Sequence, residues 1–427
     1  MKAILSALGN LFKSMRKNSV TSLALRNIFR NKRRTAITFM AIISGSIGII
    51  VFGGYVEYSY WGLRETVINT QLGHIQVYKK GYQEKGVADP VKYLIKDPDA
   101  VEKAIMVEPI SKYVKMISNR LTFSGLVSSG EQTLACKGIG VDVEREEEMS
   151  NYESIVDGMQ LMPGIDDEGL IGVELMKALG AKVGDYITLL TTTVDGVINA
   201  ADFKVVGVAQ TGTKEYDSVF IKLPINFVRR IVDTQSAEKI IILLENTEDV
   251  DTVVALLNDL IDKEGMDLEI QSWDNLADFY QKVVNLYDDI FSVMKVIIGI
   301  IVFFSIANTM SMSVFERVKE IGTLRAIGTT RWGITKLFLV EGALIGIIGG
   351  ILGVLSGILV AQIINLSGGI EVMPPPGMSV SFVTEILIVP EVLLYSFSLT
   401  AIVAALSSVY PAIKASKLKI VDALQYT

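Results

Sequence analysis

Apolar residues gather into four long runs, and a long stretch of mixed character separates the first run from the second. The runs cover residues 35–58, 287–315, 334–366 and 391–411. Because about 20 helical residues cross the hydrocarbon core of a bilayer, each run predicts a transmembrane helix. Tyrosines and Trp61 cluster where the first run ends, as an aromatic belt does at a membrane interface.

Residues 59–286 alternate between short strand-like and helix-like patterns. Stretches rich in Val, Ile and aromatic residues predict strands at 72–78, 186–190, 203–209, 219–222 and 240–244. Apolar residues at helical spacing predict helices at 99–106, 172–179 and 249–263. The sequence therefore predicts an integral membrane protein with four transmembrane α-helices and a large α+β extracytoplasmic domain after the first.

Charge is distributed unevenly between the segments that flank the runs. Residues 1–34 hold nine Lys or Arg residues and no acidic one, and basic residues also mark the connection 316–333 and the tail 412–427. The segment 59–286 holds 22 basic and 37 acidic residues, and the connection 367–390 has no basic residue. Because basic loops stay in the cytoplasm, both termini and 316–333 are predicted inside, with 59–286 and 367–390 outside.

Residues 1–34 predict a basic amphipathic helix. Apolar and basic residues alternate in its second half: Leu23, Leu25, Arg26, Ile28, Phe29 and Arg30. We expect this helix to lie on the anionic cytoplasmic face of the membrane. The alternative, a cleaved signal peptide, requires a shorter apolar run and a small-residue cleavage site, and the sequence has neither.

The rarest residues exclude several kinds of chemistry. Cys136 is the only cysteine, so no intramolecular disulfide can form. His74 is the only histidine, which excludes a His-rich metal site, and its place at the start of a strand-like run favours a structural over a catalytic role. The acidic run 144–148 predicts a solvated loop, because the further oxygen ligands of a cation site are not evident.

The sequence offers no energy source of its own. Two glycines in 328–333 have the spacing of a phosphate-binding loop, but Ile334 stands where that loop requires Lys. Glu57, Lys295 and Glu341 lie near the ends of the runs, where long side chains reach the interface, so no ion pathway is predicted. We therefore expect no catalytic residue, metal or cofactor in this chain, and a separate protein must supply the energy.

A short charged helix is predicted between the second and third runs. Four apolar residues form one stripe at helical spacing: Val318, Ile321, Leu324 and Ile327. Glu316 and Glu320 place like charges one turn apart, which an isolated helix disfavours, and Gly328 ends the helix. Two interpretations stay open at this point. The helix lies on lipid headgroups, or it docks into a cytoplasmic protein.

The same residues carry a family resemblance. The run Glu316-Arg317-x-x-Glu320-Ile321-Gly322-x-Leu324-Arg325-Ala326-x-Gly328 resembles the coupling helix of FtsX-like ABC permeases. The tail Tyr410-Pro411-Ala412-x-x-Ala415-Ser416, with Val421-x-Ala423-Leu424 after it, resembles the C-terminal signature of that family. The resemblance implies that a separate ABC ATPase, which binds the ATP and Mg²⁺, docks on this helix, and that this chain is not itself an enzyme.

The family also implies an arrangement of partners. Two ATPase subunits and a second permease chain, identical or homologous, would complete the complex. Charged residues of the helix would contact the ATPase: Glu316, Glu320 and Arg325. Ile321 and Leu324 would enter an apolar cleft on it. Membrane lipids are expected partners, and nucleic acid is not.

The large domain shows a second resemblance. Its helix 172–179, the turn Gly184-Asp185 and the strand around 205–208 resemble the periplasmic domain of MacB-like and lipoprotein-releasing permeases. This implies two subdomains, a bacterial inner-membrane location, and ATP-driven extraction or release of a lipoprotein or lipid. MacB-like export of a periplasmic peptide or drug stays open, as does mechanotransmission to an extracytoplasmic hydrolase or signal. Substrate, direction of transport, homodimer or heterodimer, and any periplasmic or outer-membrane partner also stay open.

Two further features concern packing and the substrate. Gly342, Gly346 and Gly350 are spaced by four, as are residues 349, 353 and 357, which permits close helix contact within the chain or between copies. The connection 367–390 contains three prolines, Pro374, Pro375 and Pro376, which stiffen it as a rim or as a lid. We assign a substrate or lid region to these prolines together with Trp61 and Tyr287.

Overall fold

The computed structural model describes residues 19–30, 32–86, 90–150, 154–211, 214–372 and 382–425. The chain divides into two compact units, which are described separately. The membrane unit takes its residues from 1–60, 284–371 and 383–427, and the outer unit takes its residues from 61–283 and 372–382.

The elements in chain order are as follows. The α-helices are α1 (Ser19–Arg30), α2 (Lys32–Val67), α3 (Pro98–Ile105), α4 (Glu147–Ser150), α5 (Val173–Leu179), α6 (Lys214–Asp217), α7 (Ile225–Val232), α8 (Val250–Glu264), α9 (Trp273–Leu276), α10 (Asp278–Glu316), α11 (Val318–Ala326), α12 (Arg331–Leu366), α13 (Pro390–Ser416) and α14 (Ile420–Leu424). The strands are β1 (Ile75–Lys79), β2 (Val114–Ser128), β3 (Thr133–Val141), β4 (Ser154–Gly158), β5 (Glu168–Gly172), β6 (Tyr186–Thr192), β7 (Ile198–Gln210), β8 (Phe220–Pro224), β9 (Lys239–Leu244), β10 (Leu268–Ser272), β11 (Ile370–Val372) and β12 (Phe382–Thr384).

Four helices of the described part, α2, α10, α12 and α13, are long and apolar enough to cross a membrane. They cover the four predicted runs and extend past them, because helical backbone continues where the sequence turns polar. The four-helix prediction is confirmed.

Two glycine rows let α12 approach its neighbours closely. A Cβ placed at Gly342 or Gly346 would lie 2.4 or 2.5 Å from side-chain atoms of Ser408 or Ala404 in α13, and one at Gly350 would crowd α13 in the same way. On another face, a Cβ at Gly353 would lie 2.4 Å from the Oγ of Ser46 in α2. Both rows therefore pack against helices of the same chain.

The helix α10 lies along α2. The hydroxyls of Thr38 and Thr309 are 2.7 Å apart, and the rings of Phe52 and Phe291 have centroids 5.6 Å apart. Near the end of the pair, the hydroxyls of Tyr55 and Tyr287 are 3.3 Å apart. Contacts along the whole length therefore fix α10 against α2.

The helix α1 is packed on protein rather than only on lipid. Ala24 and Ile28 are buried in the same apolar core as Phe338 of α12, and Leu23 stays about half exposed. The expectation that the apolar face of α1 lies on the membrane is corrected for these two residues, because α12 covers them. Lys2, Lys13, Arg16 and Lys17 lie outside the described residues.

The outer unit is built on a ten-stranded mixed sheet with the order β10-β1-β9-β2-β3-β8-β5-β7-β4, in which β6 pairs with β2 and β7. The pairs β3–β8 and β5–β7 are parallel. The long strand β2 pairs with β9 over its first half and with β3 over its second half. One strand therefore belongs to both halves of the sheet.

Among the described residues of the outer unit, the two largest apolar cores lie on this sheet. One is formed by strands β1 and β9 with α8, and includes Ile75, Val77, Ile240, Ile242 and Leu257. The other is formed by the strands beyond β2 with α5 and α7, and includes Leu175, Ile187, Phe203, Phe227 and Ile231. Both cores lie on one continuous sheet, and the implied division into two subdomains stays a prediction.

The predicted elements of the outer unit are found, with shifted ends, and the acidic run needs a correction. Within 144–148, Glu146 is not solvated: its side chain is fully buried and its Oε2 lies 2.7 Å from Nη2 of Arg120. Residues Glu147–Ser150 form the short helix α4. The run was mistaken for a loop because the partner of Glu146 lies 26 residues away in the sequence.

Candidate coupling site

The helix α11 has nine residues and one buried face. Val318, Ile321 and Gly322 are buried, and Lys319, Thr323 and Ala326 are exposed. A Cβ at Gly322 would lie 2.8 Å from the Cβ of Ala423 in α14, so glycine permits the close contact between these two helices. The C-terminal helix therefore supports α11 from one side.

The apolar stripe of α11 faces its own chain. Ile321 is 1% exposed and belongs to a core that includes Ile334 and Leu337 of α12. Leu324 is partly buried against the same core. The prediction that Ile321 enters a cleft on a partner is therefore wrong, because its surface is already covered. Leu324 retains only part of its surface for a partner.

Arg317 is the centre of a buried ion-pair network. Its side chain is 3% exposed, and Nη1 donates to Oε2 of Glu341 in α12 at 3.1 Å. Its Nε donates to Oε2 of Glu320 at 3.1 Å, and its guanidinium lies over the ring of Phe338. A single side chain thus connects the start of α11 to the membrane-spanning helix α12.

Glu320 extends this network to α1. Its Oε2 also accepts from Nη1 of Arg30 at 3.2 Å. Partial burial alone would raise the pKa of Glu320, but the hydrogen bonds and charge of Arg317, with the charge of Arg30, outweigh it and hold that pKa below its usual range. Glu320 is therefore an anion at neutral pH, and Arg317 relieves its repulsion with Glu316.

Arg325 binds the end of α13. Its Nη1 donates to the carbonyl oxygens of Ser416 and Leu418, at 3.3 and 2.9 Å. The last carbonyls of a helix lack partners within the helix and carry partial negative charge, which a guanidinium satisfies. Arg325 therefore holds α11 against the end of α13, and its contact with the ATPase stays a prediction.

The far end of α11 leaves apolar surface uncovered. Gly328 has a φ of +102°, which terminates the helix as predicted. The side chain of Thr330 then accepts from the N–H of Gly333 and begins α12. Ile327 is 76% exposed and Trp332 is 66% exposed on either side of this turn. Exposed Ile and Trp next to a charged helix form a surface suited to a protein partner.

Two members of this site were not among the predicted residues. Glu341 was placed near a run end with access to the interface, but it is 4% exposed and paired with Arg317, so that interpretation is corrected. A single acidic residue within the apolar run 334–366 was the available signal. Arg30 was recognised only as part of a basic helix, and its pairing with Glu320 depends on the tertiary structure.

The predicted substrate region is only partly described. Trp61 belongs to the outer unit and is about half exposed. Tyr287 belongs to the membrane unit, where its ring lies edge-on to Tyr60. Pro374, Pro375 and Pro376 fall outside the described residues. This region therefore stays a prediction.

His74 has a structural environment. It is 5% exposed, its Nδ1 accepts from the N–H of Leu244 at 3.0 Å, and its Nε2 lies 3.0 Å from Oγ1 of Thr247. Burial, with a smaller contribution from Arg64, lowers its pKa to about 4. Within the described ranges, no group of three or more His, Cys, Asp or Glu residues could hold a metal ion.

Two family models match this chain. The model of the MacB-like periplasmic core domain matches residues 35–260, and that of the FtsX-like permease C-terminal region matches residues 292–420. The second match contains the whole of α11 and α12 and the residues Arg317, Glu320 and Glu341.

Several curated proteins are similar to the chain. It is 29% identical over 207 residues to the lipoprotein-releasing system transmembrane protein LolC of Neisseria meningitidis, covering 47% of this chain and 49% of that protein. It is 23% identical over 357 residues to LolC of Haemophilus influenzae, covering 81% and 87%. It is 27% identical over 245 residues to the macrolide export ATP-binding/permease protein MacB of Bdellovibrio bacteriovorus, covering 54% and 35%. The match thus spans about half of the first relative.

Proposed function

Because this chain belongs to the FtsX-like permeases with a MacB-like periplasmic core domain, we propose that it couples a partner ATPase to the release of lipid-modified protein from the inner membrane. The chain is the permease subunit of an ABC transporter and a multi-pass inner-membrane protein. The observation that carries the proposal is the buried Arg317–Glu341 pair between α11 and α12.

The ATPase would dock on the exposed side of α11. That side carries Lys319 and Thr323 and continues into the exposed Ile327 and Trp332. Apolar side chains inside a polar rim are the usual composition of a protein interface. In this account Glu316 stays a candidate contact, whereas Ile321, Gly322 and Arg325 hold the helix in place. Two ATPase subunits would act on two permease chains, and they would bind the ATP and Mg²⁺.

Movement of α11 would reach the spans through three connections. Arg317 forms an ion pair with Glu341 of α12, and Arg325 donates to carbonyl groups at the end of α13. Gly322 packs closely against α14. Each connection is buried or short, so displacement of α11 strains all three elements together. A helix held only by lipid headgroups would transmit no such force, and this favours docking over the headgroup interpretation.

The substrate class is proposed from the relatives. Two of the similar proteins are named as lipoprotein-releasing, and one of them matches over most of both chains. The proposed substrate is therefore a lipid-modified protein, taken from the membrane near Trp61 and Tyr287. The MacB match supports a second candidate, export of a soluble peptide or drug from the periplasm.

Photo-crosslinking separates these two candidates. A photoreactive amino acid replaces Trp61 or Tyr287 in the permease complexed with its ATPase, and trapped molecules are identified by mass spectrometry before and after ATP addition. The same amino acid at Leu355, an exposed position on α12, measures background capture of membrane components.

We expect lipid-modified protein at positions 61 and 287, decreasing with ATP, and little at position 355. Soluble peptides alone at positions 61 and 287 would support export. Equal capture at all three positions would contradict a substrate region there.

A further inference from the structure

Lys295 is a charged residue within the membrane-spanning part of α10. It follows Tyr287 by eight positions, which places its Cα about 12 Å along the helix from the tyrosine. Its ammonium lies 4.0 Å from the ring centroid of Phe291 and 4.7 Å from that of Tyr395 in α13. Side chains on a helix lean toward its N-terminus, so Lys295 reaches toward the outer end of α10.

The positive charge of Lys295 is not neutralised by the protein. Among the residues that the structure describes, it has the two ring contacts and no hydrogen bond or ion pair. Aromatic faces stabilise a cation but leave its N–H groups free to donate to a further acceptor. In the hydrocarbon region, an ammonium group without an anion is costly. The geometry therefore leaves a place for an anionic group between α10 and α13.

Carboxylates surround the outer end of the same helices. Glu57 lies in the outer part of α2, Asp288 in the outer part of α10, and Glu391 in the first turn of α13. Glu391 precedes Tyr395 by one turn of α13, so it lies about 6 Å nearer the outer end than the ring that contacts Lys295. A ligand that reaches Lys295 from the outer leaflet therefore passes negative charge first.

We propose that Lys295, held between Phe291 and Tyr395, binds the phosphate of an outer-leaflet phospholipid whose headgroup carries an ammonium group. The phosphate lies on the lysine, the headgroup ammonium faces Glu391 and Glu57, and the acyl chains follow the exposed apolar surface of α10. A headgroup with net negative charge is disfavoured by the same carboxylates. The site does not depend on which substrate the permease transports.

Lipid titration of the purified full-length chain tests this proposal. Native mass spectrometry counts the lipids bound per chain as the concentration of phosphatidylethanolamine or of phosphatidylglycerol is raised. We compare wild type with Lys295→Gln, Lys295→Arg and Tyr395→Leu. Lys336→Gln is the matched control, because it removes an exposed lysine from the opposite end of the membrane unit. Elution from a sizing column confirms that each variant is folded.

We expect Lys295→Gln to weaken phosphatidylethanolamine binding about tenfold, since a charge-assisted contact to phosphate is lost. Tyr395→Leu should weaken it less, and Lys295→Arg and Lys336→Gln should bind as wild type. Wild type should prefer phosphatidylethanolamine to phosphatidylglycerol, and Glu391→Gln should reduce that preference. Equal binding by Lys295→Gln and Lys336→Gln would overturn the proposal and leave Lys295 as an interfacial anchor. Displacement of the lipid by inorganic phosphate at equal concentration would overturn it too, because the site would then hold a soluble anion.

Discussion

Arginine side chains with almost no exposed surface hold elements together in each unit. In the membrane unit, Arg317 pairs with Glu341 and Glu320. In the outer unit, Arg120 makes two hydrogen bonds to the carboxylate of Glu146, and its Nη1 donates at 2.6 Å to the carbonyl of Gln71, just beyond α2. Burial alone would raise the pKa of Glu146, but the charge and hydrogen bonds of Arg120 reverse this and lower it. Breaking either pair leaves an uncompensated buried charge.

The Arg317–Glu341 pair gives a prediction for stability. Glu341→Leu should lower the unfolding free energy of the membrane unit by about 2–4 kcal/mol, because Arg317 loses a buried partner. Adding Arg317→Met should recover part of this loss. A double-mutant cycle in one detergent measures the interaction, with Asp422→Leu, at an exposed carboxylate, as the control. Strictly additive single effects would show that the two side chains do not interact.

His74 gives a prediction for pH. Its folded pKa of about 4 lies below the ordinary value of 6.5, so the unfolded chain binds more protons between these values. The stability that the buried neutral His74 contributes to the folded state is therefore complete above pH 6.5 and declines as the pH falls toward 4. The outer unit should lose about 1–2 kcal/mol of stability between pH 7 and 5 through this residue. Urea unfolding of the full chain with Trp61 and Trp332 replaced by Phe, followed by the fluorescence of Trp273, should show a smaller loss for His74→Gln. Parallel pH profiles would contradict the assignment.

At the residue scale, the sequence revealed residue types but not partners. The lone Glu341 and the charged run around Arg317 were both visible. Their pairing was not visible, because 24 positions separate them in the sequence and they lie on different helices. Glu146 was mistaken for a solvated residue for the same reason.

At the scale of elements, hydrophobic patterning was informative for the spans and less so for the sheet. The strands β2 and β3 were not predicted. Polar residues such as Arg120 and Asn119 interrupt the pattern of β2 although both are buried, and the ion pair with Glu146 satisfies Arg120. A strand that crosses between two cores lacks the regular alternation of a strand with one wet face.

The glycine rows of α12 give a prediction at this scale. Gly353→Ala should destabilise the membrane unit by about 1–3 kcal/mol, since the new methyl group collides with Ser46. Gly299→Ala is the matched control, because a Cβ there meets nothing within 4 Å. Thermal unfolding of both variants in one detergent compares them. Equal melting temperatures would show that the tight packing of α12 on α2 does not exist.

The exposed end of α11 gives a second prediction. Ile327→Asp should release the ATPase during purification while the permease still inserts and folds, because a buried charge without a partner is costly at an interface. Ile327→Leu should retain the ATPase. The measurement is the ratio of ATPase to permease after affinity purification. A wild-type ratio of ATPase to permease in the Ile327→Asp variant would show that Ile327 does not lie in the interface.

For the whole molecule, the order of apolar, acidic and basic segments along the sequence was sufficient to predict the architecture. Four apolar runs, an acidic insertion after the first, and basic segments elsewhere identified the architecture before any contact was known. The family matches confirm the periplasmic core domain and the permease region. The substrate was not readable, because it depends on surfaces whose shape the hydrophobic pattern does not encode.

If Arg317 transmits movement of α11 to α12, nucleotide binding by the ATPase should displace the far end of α12 only while the Arg317–Glu341 pair is intact. A spin label at Leu366, the exposed last residue of α12, reports the distance between the two permease copies of the proposed complex, without nucleotide and with trapped ATP. In the wild type and in the Asp422→Asn control, we expect the distance distribution to change with nucleotide. In Glu341→Gln, we expect the ATPase to stay bound and hydrolyse ATP while the distribution stays unchanged. A nucleotide-dependent change of wild-type size in Glu341→Gln would show that the Arg317–Glu341 pair does not transmit the movement.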